Sequence, residues 1–185
     1  EFSKIEAGKL EFHEKPFSIH QVIEEITASF IDRASEKNIE MISFQDPYIP
    51  HEVLGDPVRL RQVLKIFIDN AIKFTRSGHI RVEARFLEWD DNSVRVKFTI
   101  ADTGIGISEE GLKRLFISFS MLDTTESKQY GGGGLGLAIA RKLIERMNGQ
   151  ISVESEPGVG SDFSFTILFD RYLDTETPDR MKELL

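Results

Sequence analysis

The chain has 185 residues, the size of one domain with short appendages, and is 40% hydrophobic with 14 Phe, enough for a sizeable core and too apolar for a disordered chain. Its 23 Lys+Arg against 31 Asp+Glu leave a formal charge of -8, which argues against nucleic acid as the main partner and against direct membrane contact. With no cysteine, disulfides, thiolate metal sites and a cysteine nucleophile are excluded.

In chain order, Glu1 to Leu10 place Phe2 and Ile5 ahead of Gly8, as in the closing turns of a helix that begins upstream. The chain therefore reads as a piece of a longer protein, whose parent could be membrane-bound. Leu10 to Phe17 suggest a short strand. Ser18 is placed to cap a helix through about Lys37, along which Ile19, Val22, Ile23, Ile26 and Phe30 recur at helical spacing. Ile39 to Phe44 alternate as a strand, and Gln45 to Gly55 form a loop with at most a short strand at Val53 and Leu54. Asp56-Pro57 opens a helix to about Phe74, because the carboxylate can cap free N–H groups and proline suits the first helical position. Leu60, Val63, Leu64, Phe67, Ile68, Ala71 and Ile72 make its buried stripe, with Gln62, Ile66, Asp69, Asn70 and Lys73 around a second face. Strands follow at His79 to Leu87 and Ser93 to Ala101, joined by Asp90-Asp91-Asn92. Asp102 to Ile107 is a glycine-bearing strand exit, Ser108 caps a short helix to about Phe116, and Ile117 to Tyr130 are polar and aperiodic. Gly131 to Gly134 lead into an amphipathic helix, Leu135 to Met147, stopped at Asn148-Gly149. Strands Gln150 to Ser155 and Asp162 to Phe169 flank Pro157 to Gly160, and the tail from Arg171 reads as a linker. No segment approaches the ~18 apolar residues of a membrane span, and no signal peptide is visible.

Three groups of residues carry chemistry. Asn70 and Lys73 share a helix face; an amide oxygen can ligate Mg²⁺ and an ammonium can meet phosphate, although such a pair taken alone is usually an ordinary solvated face. Asp102-Thr103-Gly104-Ile105-Gly106-Ile107 follows a hydrophobic strand. A carboxylate there can accept from an exocyclic amine while glycines let a planar ring approach bare backbone, or the segment is a plain strand-to-helix turn. Glu109 stands where a dinucleotide fingerprint would need its third glycine. Gly131 to Leu137 open a helix, so free N–H groups and the positive helix end can hold a phosphate; composition alone would also allow a linker.

Asn70 on a helix, then the Asp102 turn, a long polar loop, the glycine-rich helix start and Gly158-Val159-Gly160-Ser161 together resemble the N, G1, F, G2 and G3 boxes of the histidine kinase ATP-binding domain. That family also includes gyrase B, Hsp90 and MutL. Phe2 to Leu10 are similar to the end of the second dimerisation helix of these kinases, and the lid with Phe116, Phe119 and Asp123 resembles that of hybrid sensor kinases. The resemblance implies an α/β (α+β) two-layer sandwich of Bergerat type: a mixed, largely antiparallel sheet with helices on one face and a mobile ATP lid at 117–130. The implied domains are the end of an upstream dimerisation helix at 1–10, the catalytic ATP-binding domain at 11–170 and a linker at 171–185. It implies ATP and Mg²⁺ as ligands, with Asp102 on the adenine amino group and Gly104, Gly106 and Ile107 lining the base pocket. Ser161 would assist at the base, Asn70 would hold Mg²⁺, Lys73 would approach the phosphates and Phe74 would wall the nucleotide. Gly132, Gly134, Leu135, Gly136 and Leu137 would cradle the phosphates, and Lys128 would reach the γ-phosphate. The implied reaction is transfer of the γ-phosphoryl group to a histidine on the protein's own dimerisation domain, with a receiver domain or response regulator downstream, in the cytoplasm.

The sequence departs from that pattern. Ile66 stands where kinases often have Asn or His and gyrase-like ATPases their catalytic Glu, which removes the water-activating base. Met121, Ser118 and Gly133 also replace usual residues. These departures motivate an alternative, a degenerate nucleotide-binding regulatory module with weak or no kinase activity. None of the four histidines, His13, His20, His51 and His79, sits on a long dimerisation helix, so the phosphoacceptor is expected outside this chain.

Overall fold

The computed structural model describes residues 10–120 and 133–172. In order come β1 (Lys15–Phe17), α1 (Ile19–Ser35), β2 (Ile39–Gln45), β3 (Val53–Gly55), α2 (Pro57–Phe74), β4 (Gly78–Trp89), β5 (Ser93–Asp102), α3 (Glu109–Ser120), α4 (Gly133–Arg146), β6 (Gln150–Glu156) and β7 (Gly160–Arg171). The upstream helix at 1–9 and the tail at 173–185 lie outside the described residues. Differences from expectation fall at element ends. The first strand shrinks to Lys15–Phe17, α3 runs to Ser120, α4 begins at Gly133 rather than Leu135, and Arg171 belongs to β7 rather than to a linker.

The strands form one open mixed sheet in the order β1-β3-β7-β5-β4-β2, with β6 also paired to β7. Among the described strands, only β2 and β4 run parallel. On β5 the residues Val94, Val96, Phe98 and Ile100 are fully buried, whereas Arg95, Lys97 and Thr99 between them are half-buried. That alternation marks an inner face packed under the helices and an outer face toward solvent. The outer face is polar, with Glu83 bridging Arg81 at 2.5 Å and Arg85 at 2.9 Å.

Helix α2 lies at the centre of the helical layer, touching α1, α4, β4 and β5. Every residue of its expected stripe is buried. Phe67 is 1% exposed and lies 5.6 Å from both Phe163 and Phe165 of β7, and Phe165 stacks on Phe98 of β5 at 5.0 Å. This aromatic column sets how α2 rests on the sheet. At the other end Asp56 accepts from the Val58 and Arg59 amides through Oδ1 and from the His13 amide through Oδ2, at 2.8 to 3.1 Å. One carboxylate thus caps α2 and ties down the incoming chain. Asp56→Ala is expected to lower stability by ~1–2 kcal/mol in urea denaturation. Asp56→Asn, which keeps the Oδ1 acceptor, is expected to recover most of that loss. No helix among the described residues is long and apolar enough to cross a membrane.

Candidate nucleotide site

Antiparallel register places Ser155 opposite Ser161 and Ser161 opposite Asp102, one row across β6, β7 and β5. Asp102 has the parity of Ile100 and Phe98, and Ser161 that of Phe163 and Phe165, so both side chains belong to the inner face. Asp102 is 8% exposed and Ser161 is 6% exposed. Asp102 Oδ1 accepts the Gly104 amide at 2.8 Å. Burial pushes the Asp102 carboxyl above the usual aspartate range, and the negative charge of Asp162 adds to this, while the amides of Gly104 and Ser161 and the Thr75 hydroxyl favour the ionised form.

The turn after Asp102 is held from two sides. Ile105 donates its amide to the Phe74 carbonyl at the end of α2, at 3.2 Å, and Gly158 donates to the Ile105 carbonyl at 2.8 Å. A Cβ on Gly104 would lie 2.5 Å from the Phe74 carbonyl oxygen, 2.7 Å from Asp102 Oδ1 and 2.9 Å from Thr75 Oγ1, so only glycine fits between helix and carboxylate. Gly106 has φ +68° and a Cβ there would sit 2.0 Å from the Glu156 carbonyl oxygen. Its glycine serves the contact with the β6–β7 turn. Ile107 donates its amide to Ser155 Oγ at 2.8 Å.

Asn70, Lys73, Phe74 and Thr75 follow one another along the last turns of α2. Asn70 is half-buried, and Asn70 and Lys73 line a groove of about 480 Å³ with Arg33, Lys37 and Asp69. Arg33 pairs with Asp69 at 2.7 Å, and Lys37 Nζ donates to the Ile72 carbonyl. Lys73 Nζ stands 5.3 Å over the ring of Phe74, which is 38% exposed. A second hollow, of about 430 Å³, touches Asp102 but is lined by Arg81, Ala101, Glu154 and Asp162 of the outer-face row, so it lies across the sheet from the inner-face Asp102 carboxylate. The helix end and the Gly104 turn join Asn70 to Asp102 on the inner face. A Cβ on Gly136 would touch Ile66 at 3.4 Å, which sets the start of α4 against α2 one turn before Asn70. Ile66 thus makes an apolar helix contact.

The expected phosphate cradle at Gly134, Leu135, Gly136 and Leu137 lies in the opening turns of α4, and the Leu137 side chain is buried. Lys128, Gly132 and Met121 lie outside the described residues, as does most of the expected lid. Two polar residues beside Asp102 and Ser161 were absent from the expectations. Thr75 is fully buried, and its Oγ1 makes no hydrogen bond of good geometry. Ser155 joins the row only through the β6–β7 register. A threonine just after the Lys73-Phe74 pair, and a serine two residues before the Pro157 to Gly160 turn that Ser161 directly follows, were the available signals.

Residues 55–171 match the family described as histidine kinase-, DNA gyrase B-, and HSP90-like ATPase. The chain belongs to this family. Among curated relatives, the sensor histidine kinase GacS of Pseudomonas protegens is 43% identical over 163 residues, covering 88% of this chain and 18% of GacS. Hybrid signal transduction histidine kinase B of Dictyostelium discoideum is 42% identical over 167 residues, or 90% of this chain and 8% of that kinase. The chain therefore spans less than a fifth of either relative. Full-length ShkA, solved in complex with AMPPNP, superposes with a TM-score of 0.77 at 33% identity, over 94% of this chain and 35% of ShkA. The two curated relatives are named as histidine kinases, and the chain shares the two-layer α+β fold of its family. The comparisons give the degenerate-module alternative no support.

Proposed function

We propose that this kinase domain binds Mg-ATP between α2, α4 and the inner sheet face and presents the γ-phosphoryl group to a histidine on the dimerisation domain of a longer parent protein. A receiver domain or response regulator would accept the phosphoryl group next. The observation that carries the reading is the placement of an inner-face carboxylate, Asp102, against the end of the helix that bears Asn70 and Lys73. The donor set fits the ligands: buried acceptors for an amino group at one end, an amide oxygen and an ammonium at the other. Asp102 would accept from the adenine amine, with Ser161 beside it. Phe74 would cover one side of the base, and the opening amides of α4 would hold the phosphates. Asn70 would hold Mg²⁺ and Lys73 would approach the phosphates. The metal would neutralise charge on the β- and γ-phosphates when bound. Phosphoryl transfer depends on positioning and charge neutralisation, so the apolar Ile66 is compatible with it. We place the domain in the cytoplasm, with the parent chain open to membrane anchoring.

The direct test is label from γ-labelled ATP appearing as acid-labile phosphohistidine on a separately supplied dimerisation domain. No transfer, while a relative's catalytic domain labels the same acceptor, would overturn the reading. Asn70→Ala is expected to reduce Mg-ATP affinity about tenfold or more while changing metal-free ADP binding little, as read by calorimetry with and without Mg²⁺.

A further inference from the structure

We propose that Ser155 sets the purine preference of the base pocket by fixing the direction of the Ser161 hydroxyl. The proposal rests on the nucleotide reading of Asp102 and Ser161. Ser155 Oγ has close partners at 2.8 Å in the Ile107 amide, the Gly160 carbonyl and Ser161 Oγ. A serine hydroxyl has one proton and two lone pairs. The Ile107 N–H can only donate, so it takes one lone pair. The Gly160 carbonyl can only accept, so it takes the proton. What is left on Ser155 is a lone pair, and Ser161 must supply the proton to that contact. This is the one arrangement in which each of these contacts carries a hydrogen.

Its consequence falls on Ser161. With its proton committed to Ser155, Ser161 turns only lone pairs toward the site. Asp102, its register partner on β5, is also an acceptor when ionised. Two neighbouring acceptors suit the exocyclic amine of a 6-aminopurine, which has two N–H groups to give. A 6-oxopurine would bring an oxygen lone pair against them. Ser155 touches no base in this arrangement and acts through Ser161 as a positioning residue. Without its hydroxyl, the Ser161 proton is released and can turn to meet a 6-oxo group.

The test is calorimetry of the full 185-residue chain with ADP and with inosine diphosphate. Wild type is expected to prefer ADP, and Ser155→Ala to shrink the ratio of the two dissociation constants about tenfold, the usual worth of one hydrogen bond. Ser155→Thr, which retains the hydroxyl, is expected to restore the ratio. Ser155→Cys keeps a similar volume but puts a much weaker acceptor opposite the Ser161 hydroxyl, and is expected to behave like alanine, which covers the case of an alanine variant that folds poorly. Ser161→Ala combined with Ser155→Ala is expected to shift the ratio no further than Ser161→Ala alone. ADP binding with an unchanged ratio in Ser155→Ala and Ser155→Cys would overturn the role of Ser155 and leave the nucleotide reading standing. Wild type that binds neither nucleotide would overturn both.

Discussion

Asp102→Ala is expected to weaken ADP binding by about ten- to a hundredfold while leaving the unfolding midpoint unchanged or raised. The affinity loss follows from removing a charge-bearing acceptor, worth ~1.5–3 kcal/mol, from a buried position. The stability side follows from the same burial. Because the folded carboxyl lies above its ordinary range, chiefly through desolvation, the ionised group opposes folding at neutral pH. That penalty lifts as the pH falls through the raised value, so the stability difference between wild type and Asp102→Asn should narrow on acidification. Nucleotide affinity should run the other way. As Asp102 takes up its proton it ceases to be a pure acceptor, and ADP binding in wild type should begin to fall at a pH above the usual aspartate range. Asp102→Asn should lack that limb. An unchanged dissociation constant for ADP in Asp102→Ala would show that the base lies elsewhere.

Phe67→Ala is expected to have the largest effect on stability. Its ring lies between Phe163 and Phe165 and is almost wholly buried, so truncation removes the contacts and leaves a cavity, at ~3–5 kcal/mol. That is a large share of the ~5–15 kcal/mol that holds a typical domain together. Urea denaturation should show a lower midpoint with little change in slope. Phe74→Ala provides the contrast. Its ring is 38% exposed at the end of the same helix, so its loss should cost under about 1.5 kcal/mol in stability while weakening nucleotide binding. A Phe67→Ala midpoint equal to wild type would mean that the aromatic column does not seat α2.

Helix α2 shows how much was legible beforehand. Its Asp56-Pro57 start, its buried stripe and its end at Phe74 are all local signals, since caps and a 3.6-residue period are written within a few turns of chain. The polar stretch after α3 had no period to read, and there the expected end at Phe116 fell short of Ser120. β4 extends past its expected limits to Gly78 and Trp89 because ladder pairing with β2 and β5 recruits residues whose own strand signal is weak. The parallel pairing of β2 with β4 has no local signature at all. Ser155 and Thr75 were missed for a related reason: a serine in a strand and a buried threonine after a helix are ordinary until their neighbours are known.

Sequence alone determined the inventory and its order: a carboxylate at a glycine turn, an amide and an ammonium on one helix face, a glycine-rich helix start, and the family to which these belong. Those are local chemistry, carried by residue type and spacing over a few positions. Only the tertiary structure decided which groups meet. The row from Ser155 through Ser161 to Asp102, the pinch of Gly104 between the end of α2 and the Asp102 carboxylate, and the seat of Ile66 against Gly136 depend on strand register and helix docking. Both are set by the packing of residues far apart in the chain, and a one-residue slip of strand register would turn Ser155, Ser161 or Asp102 to the other face.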